Sequence, residues 1–203
     1  MKRLILTLFL SLLLLGSCST TVAKREKSLV LQTEAIGMLQ GRSYEGAVSK
    51  LKQALVLEPN SEEARYNLLL ALLAAESYDE AIVLSDGSSL LFPANLNFSL
   101  AKAYALRKMG KVEQAFTLYQ EIVDKDKANY SLQAKLMELS LEEGVVKFAK
   151  ERALYLISVH QEEARAFTVL ATLEGEESWY ALARDLMKEA STQGQEQRPT
   201  QSR

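Results

Sequence analysis

The chain has 203 residues, of which 25% are charged and 48% are hydrophobic, with only 3 prolines and 9 glycines. This composition excludes collagen-like, low-complexity and mostly disordered proteins. The formal net charge is −2 and no run of basic residues is long enough to follow a phosphate backbone, so nucleic acid is not expected as a partner. One cysteine and one histidine cannot form a disulfide framework or a metal site of thiolates and imidazoles, and no cofactor is expected.

The first residues have the order of a secretory signal peptide. The basic head Met1-Lys2-Arg3 precedes a mostly apolar run from Leu4 to Leu15 and the small residues Gly16 and Ser17. The run is shorter than the roughly 20 apolar residues that a transmembrane helix needs, so it should not form a stable membrane span. We therefore predict that residues 1–17 are a signal peptide.

The junction Leu15-Gly16-Ser17-Cys18 resembles the bacterial lipoprotein signal, in which a leucine and two small residues precede the cysteine that becomes the mature N-terminus. The resemblance implies that Cys18 carries lipid, including acyl chains such as palmitate, which would anchor the protein to a membrane. Ser19 in place of an acidic residue implies, by the same resemblance, an outer-membrane location facing the periplasm. The alternative is a plain signal peptide cut near the same point. Residues 18–27 are then the lipidated cysteine and a linker that would reach roughly 30 Å if extended.

A 34-residue period organises the rest of the chain. Alanines recur at this interval, each preceded by a tyrosine or valine three residues earlier: Ala47, Ala81, Ala115, Ala149 and Ala183, after Tyr44, Tyr78, Val112, Val146 and Tyr180. A third column lies seven residues after the alanines, at Ala54, Ser88, Ile122, Leu156 and Ala190. The spacing predicts five repeat units.

The stretch from Tyr44-Glu45-Gly46-Ala47 through Ala54 to Pro59 resembles the tetratricopeptide repeat (TPR) family, which pairs two antiparallel helices in each 34-residue repeat. The resemblance implies an all-α fold, a right-handed superhelix of about five helix-turn-helix pairs. Gly110 and Gly144 fall in the turns between paired helices, where a left-handed backbone suits glycine. The folded part should begin near Ser28, with repeats near 28–61, 62–95, 96–129, 130–163 and 164–191, followed by a polar, disordered tail at 192–203.

Repeat two contains two signals for its helices: capping-box spacings at the helix starts and a glycine inside the second helix. Asn60 with Glu63, and Ser77 with Glu80, have the spacing of capping boxes and predict helix starts. Gly87 lies inside the second helix, where glycine costs roughly 1 kcal/mol relative to alanine. It is either a tolerated irregularity on the convex side or a hinge or partner contact.

In TPR proteins the first helices of successive repeats line a concave groove. Projecting the family's groove positions onto this chain gives an aromatic and aliphatic surface with a basic rim: Tyr66, Leu70, Leu73, Leu100, Tyr104, Arg107 and Lys108. Repeat one adds Gln32, Ile36 and Leu39, and repeat four adds Glu138, Leu141 and Glu142. Such a groove would take an amphipathic helix or an extended peptide. For any one of these side chains, the alternative is ordinary packing between helices.

Catalysis is not expected from this sequence. His160 falls in the turn after repeat four, where a solvated histidine is the default, and the chain has no nucleophile elbow, phosphate loop or dinucleotide fingerprint. No catalytic residue is therefore assigned.

These features favour a membrane-anchored scaffold or adaptor that binds other envelope proteins. Resemblance suggests pilus or secretion assembly, outer-membrane protein insertion or regulation of cell-wall enzymes as its setting. The alternative is a small-ligand-binding accessory protein of an envelope transporter, which would need an enclosed cavity lined by Tyr66, Leu70 and Tyr104. A third hypothesis is a homo-oligomer formed through the C-terminal repeat, at Leu182, Leu186 and Met187.

Overall fold

A computed structural model describes the backbone of residues 2–176, 179 and 181–186, with side chains from residue 21 onward in those ranges. These residues form helices and no strands, which confirms the all-α class. The helices are α1 (Lys2–Gln40), α2 (Tyr44–Leu57), α3 (Glu62–Ala74), α4 (Tyr78–Leu91), α5 (Leu96–Lys108), α6 (Val112–Lys125), α7 (Tyr130–Glu142), α8 (Val146–Ser158) and α9 (Glu163–Glu174). Residues 181–186 are also helical, where the second helix of repeat five is predicted. The chain divides into two compact units, residues 1–110 (unit 1) and residues 111–203 (unit 2).

The helix starts follow the 34-residue period. The second helices of the repeats begin at Tyr44, Tyr78, Val112 and Val146, the column that precedes the alanines. The first helices of repeats two, three and four begin at Glu62, Leu96 and Tyr130, which are separated by the same interval. The consecutive helix pairs that the period predicts are therefore present.

The alanine column is the most buried feature of the fold. Ala47, Ala81, Ala115 and Ala149 are 0% exposed, and Ala183 is 3% exposed. The third column is buried as well at Ala54, Ser88, Ile122 and Leu156. Because the alanine side chain is a single methyl group, the alanine column lets the helices approach closely. Larger side chains fill the spaces around them, chiefly Leu51, Leu69, Leu72 and Phe98 in unit 1 and Met137, Leu156 and Leu170 in unit 2.

The caps of the first helices recur with the same period, but not where a capping box is predicted. The Ser61 hydroxyl accepts a hydrogen bond from the Ala64 amide at 3.2 Å, and Asn95 and Asn129 also cap α5 and α7 through their side chains. The prediction of Asn60 as a cap is wrong because Asn60 lies inside a turn closed by the Ser61 amide and the Glu58 carbonyl. Ser77 precedes α4 but makes no side-chain cap bond.

The segment 18–27, predicted to hold the lipidated cysteine and a linker, is helical. These residues lie within α1, which runs without interruption from Lys2 to Gln40. Glycine and proline are absent between Gly16 and Gly37, and the residues from Ala23 to Lys27 are good helix formers, which accounts for the continuity. Side chains 21–27 are exposed, and packing begins at Ser28. No described helix is both long enough and apolar enough to cross a membrane.

Some predicted features fall outside the described part of the chain. These are the side chain of Cys18, the column residues Tyr180 and Ala190, Met187, and the tail at 192–203.

The turns inside the helix pairs share one left-handed residue. Gly110 and Gly144 have φ angles of 76° and 74°, as predicted, and Arg42 and Glu76 occupy the same repeat position with φ angles of 59° and 56°. A residue with a Cβ pays about 1–2 kcal/mol for this conformation. Gly87, in contrast, lies on the exposed side of α4, which continues unbroken through it, and a Cβ there would meet no atom within 4 Å.

The two glycines should therefore respond to alanine in opposite directions. Gly110→Ala should destabilise the protein by about 1 kcal/mol because it forces alanine into the left-handed region. Gly87→Ala should stabilise it by about 1 kcal/mol because it replaces glycine inside an open helix position. Urea unfolding followed by circular dichroism measures both, and a shift of the same sign in the two variants would contradict this description of the turns.

Candidate partner-binding groove

The first helices of unit 1 lie side by side, with α3 between α1 and α5. Side chains on these helices form what we call the groove face: Ile36, Leu39, Tyr66, Leu70, Leu73, Leu100, Tyr104, Arg107 and Lys108. The face combines residues that pack into the core with residues that project into solvent.

The projecting residues form a ladder across the three helices. Ile36, Leu70 and Tyr104 follow one another at the repeat interval, and they are 41%, 40% and 37% exposed, respectively. Each comes from a different helix, so the same repeat position presents an apolar side chain three times in succession. Single exposed apolar residues are common on protein surfaces, whereas larger apolar patches mark interaction sites. The ladder places three exposed apolar side chains on adjacent helices.

Other predicted groove residues serve partly as core. Leu39, Tyr66 and Leu73 are half-buried and pack against the core cluster of unit 1. The Tyr66 ring meets Phe98 edge-on, with centroids 6.3 Å apart and an interplanar angle of 80°. Leu100 is also half-buried. Packing between helices, the alternative interpretation, therefore describes much of what these four side chains do.

The basic rim gathers around Tyr104. The Arg107 Cζ atom lies 5.5 Å from the centroid of the Tyr104 ring, and the Lys108 Nζ atom lies 5.7 Å from it. Both distances are within the range of cation–π attraction. The two cations therefore hold the tyrosine ring at the end of the ladder.

Tyr78 belongs to this neighbourhood, although the sequence indicated only a packing role for it. Partial burial, the Glu76 carboxylate and nearby Tyr104 together raise the pKa of Tyr78 above its ordinary value. Its position at the start of α4, in the tyrosine and valine column, gave no signal that it lies near the groove face.

The corresponding surface of unit 2 combines charged residues with apolar ones. Glu138, Leu141 and Glu142 of α7 border a cavity of about 320 Å³ together with Arg165, Thr168 and Val169 of α9. Arg165 donates through Nε and Nη2 to the two carboxylate oxygens of Glu138, each at 2.6 Å. These hydrogen bonds, with a further one to Glu162, raise the pKa of Arg165. Glu138 occupies the ladder position of this repeat, so the apolar series has no counterpart on α7.

Gln32 does not belong to the groove, contrary to the sequence-based projection. It is 3% exposed, and its Nε2 donates to the Ser28 hydroxyl at 3.4 Å. The Ser28 hydroxyl in turn donates to the Ala54 carbonyl at 3.3 Å. The side chain is turned inward because this chain of hydrogen bonds links α1 to α2. Its Oε1 is buried without a hydrogen-bond partner among the described residues.

The described residues show no arrangement typical of a metal centre. No group of three or more histidine, cysteine, aspartate or glutamate side chains could hold a metal ion in the described part. His160 is solvent-exposed in the turn before α9, and its Nδ1 lies 2.7 Å from the Glu163 Oε1.

Several solved structures have a similar fold, although their sequences have low identity to this chain. MamA (residues 41 to the end) from Desulfovibrio magneticus RS-1 matches with a TM-score of 0.59 and 19% identity, over 84% of this chain and 97% of that one. YrrB, described as a TPR protein with an unusual peptide-binding site, matches with a TM-score of 0.53 and 17% identity, over 76% of this chain and 84% of that one. The TPR domain of Arabidopsis OM64 matches with a TM-score of 0.52 and 17% identity, over 60% of this chain and 98% of that one.

The fold is that of the tetratricopeptide repeat. The helix pairs, their 34-residue period and these structural likenesses agree on this point. No protein-family profile matches the chain, and no curated protein matches it by sequence. The predicted TPR fold of paired helices is thus confirmed.

Two buried glutamines of this TPR fold offer a matched pair of substitutions. Gln32→Met should stabilise the protein by about 1 kcal/mol because it removes a buried oxygen that lacks a partner. Gln133→Met should destabilise it by a similar amount, since the Gln133 Nε2 donates to the Lys127 carbonyl at 2.7 Å and its Oε1 accepts from Arg152 at 3.5 Å. Thermal unfolding of the two variants tests the difference, and destabilisation by both would show that Gln32 is better satisfied than the structure indicates.

Proposed function

We propose that this protein is a membrane-tethered TPR scaffold that binds segments of other envelope proteins through the groove face of unit 1. The observation that carries the proposal is the exposed ladder of Ile36, Leu70 and Tyr104 on three adjacent helices. Burying such side chains against a partner would contribute about 25 cal/mol for each Å² of apolar surface removed from water. The half-buried residues of the groove face, Leu39, Tyr66, Leu73 and Leu100, would form the floor of the binding site.

The geometry of the ladder favours a linear partner. Packed helices have axes about 8–10 Å apart, so successive ladder residues should recur at about that interval. An amphipathic helix presents apolar side chains on one face at a similar spacing every seventh residue, and a polyproline II segment does so every third residue. Arg107 and Lys108 at one end of the ladder favour an acidic residue at the matching end of the partner.

The structural likeness to YrrB supports peptide binding as the activity of this surface, because that TPR protein has a peptide-binding site. The small-ligand alternative receives less support. Leu70 and Tyr104 are too exposed to line an enclosed cavity, whereas a carrier would surround most of its ligand. Leu182 is exposed at the C-terminal repeat, and self-association there would make the mass of the free protein depend on its concentration.

Membrane attachment through lipid on Cys18 is the second part of the proposal. It rests on the Leu15-Gly16-Ser17-Cys18 junction and on the apolar run before it. Two or more acyl chains would anchor the protein stably, since each buried CH₂ contributes about 0.8 kcal/mol and a single chain holds only weakly. An anchor would raise the concentration of the groove near envelope proteins already at that membrane. The proposed location is the periplasmic face of a bacterial outer membrane, and the proposed role is assembly of an envelope machine.

Truncation of exposed ladder residues tests whether the groove face binds a partner, because these side chains can be shortened without disturbing the core. Leu70→Ala/Tyr104→Ala should lower recovery of a specific envelope protein at least tenfold in crosslinked pull-downs, because it removes two of the three ladder side chains. The matched control is Val83→Ala/Leu90→Ala on α4, whose side chains are 73% and 85% exposed. Circular dichroism would show whether the variants are folded.

An unchanged partner in the ladder variant, or equal loss in the α4 variant, would contradict the groove assignment. A change in the mass of the free protein with concentration would instead indicate self-association.

The anchor is tested by labelling cells with a radioactive or alkyne-bearing palmitate. The native protein should incorporate the label and sediment with membranes, and Cys18→Ala should lose both properties because the thiol is the atom that takes the lipid. Ser17→Ala keeps a small residue at the junction and serves as the control that should remain labelled. Absence of label in the native protein would leave a plain signal peptide as the better interpretation.

A further inference from the structure

A second surface lies in unit 2, on the helices that follow the groove-forming ones. α6, the turn before α8 and α8 itself enclose a cleft with a volume of about 560 Å³. This volume falls within the roughly 300–1,000 Å³ that is usual for sites that hold a ligand. None of its residues belongs to the groove face, so the cleft is independent of the proposed scaffold surface.

The floor of the cleft is aromatic. The Phe116 and Phe148 rings meet edge-on, with centroids 5.2 Å apart and an interplanar angle of 70°. Both residues are almost fully buried by unit 2 and still contribute to the cleft lining. Val146 adds an apolar side chain at the edge that is 52% exposed. The floor therefore offers a place for an apolar side chain of a ligand.

The rim of the cleft is acidic. Glu113 and Glu121 of α6 and Glu151 of α8 contribute three carboxylates, against the single ammonium group of Lys147. All four side chains are exposed, and none of the three carboxylates has an ion-pair partner among the described residues. The local charge is therefore negative and complements a cationic ligand.

The spread of the carboxylates favours a chain over a single small cation. Glu113 and Glu121 are eight residues apart on one helix, a rise of about 12 Å. In an extended peptide, residues i, i+2 and i+4 share one face, and i and i+4 lie about 13 Å apart. Two basic residues flanking an apolar one at this spacing would reach the acidic rim while the apolar side chain contacts the floor.

We propose that this cleft binds an extended, basic segment of a partner protein with the pattern basic-x-apolar-x-basic. Its apolar residue rests on Phe116 and Phe148, and its cations pair with Glu113, Glu121 and Glu151. Because the exposed carboxylates are screened by salt, binding weakens as ionic strength rises.

Fluorescence anisotropy with a labelled peptide, acetyl-Lys-Ser-Leu-Ser-Lys-amide, tests the proposal on the full chain. The native protein should bind it at least tenfold more tightly than the peptides acetyl-Glu-Ser-Leu-Ser-Glu-amide and acetyl-Lys-Ser-Ser-Ser-Lys-amide. The variant Glu121→Lys/Glu151→Lys should bind it at least tenfold more weakly than the native protein. The matched control Glu26→Lys/Glu45→Lys makes the same change in net charge at exposed sites outside the cleft and should stay within twofold.

A steric variant separates the cleft from a general charge effect. Thr117 lines the cleft and is exposed, so Thr117→Trp should fill the space and abolish binding with all three carboxylates still present. Leu70→Ala/Tyr104→Ala should leave this binding unchanged, which distinguishes failure of the cleft from failure of the groove. The proposal is overturned if the native protein does not prefer the basic apolar peptide, if the charge control weakens binding as much, or if Thr117→Trp binds normally.

Discussion

The close approach of paired helices at alanine is the constraint on which the rest of the structure depends. Ala47, Ala81, Ala115 and Ala149 have no exposed surface, and any larger side chain would have to displace the helices that it separates. Because the second helices begin three residues before each of these alanines, the crossing occurs at the same place in successive repeats. Surface residues at one repeat position therefore recur with the same orientation within a unit.

This regularity explains how an ordinary core produces an ordered surface. Equivalent residues on the adjacent helices α1, α3 and α5 are similarly exposed, so Ile36, Leu70 and Tyr104 form a series rather than three separate apolar residues. The same position on α7 carries Glu138, which Arg165 engages with two hydrogen bonds. The same repeat position is thus apolar on α1, α3 and α5 of unit 1 and charged on α7 of unit 2, and the difference depends only on side chains that the core does not constrain.

The period carries most of the information that the sequence holds about the fold. It predicted the helix pairs, the buried columns and the left-handed turns at Gly110 and Gly144. It could not show that Gln32 turns inward, because that depends on the Ser28 hydroxyl and a carbonyl on the next helix. The helical conformation of residues 19–27 depends on helix propensity, which leaves no trace in apolar periodicity.

The candidate surfaces were less predictable than the fold for a similar reason. Projection of the family's groove positions found Leu70 and Tyr104 but did not separate them from Tyr66 and Leu73, whose burial depends on packing with Phe98 and its neighbours. The cleft of unit 2 gave no signal at all. Phe116 and Phe148 are not separated by a whole repeat and share no 34-residue column, so only the folded chain shows that their rings meet.

Photo-crosslinking at single positions tests most directly whether the groove face of unit 1 is the binding surface. A benzophenone amino acid is placed in turn at residues 70 and 104 on the groove face, and at residues 83 and 90 on α4, and cells producing each protein are irradiated. Adducts of one common mass at 70 and 104, with none at 83 and 90, are the predicted result. Adducts confined to 83 and 90 would contradict it and would place the partner on the second helices of the repeats.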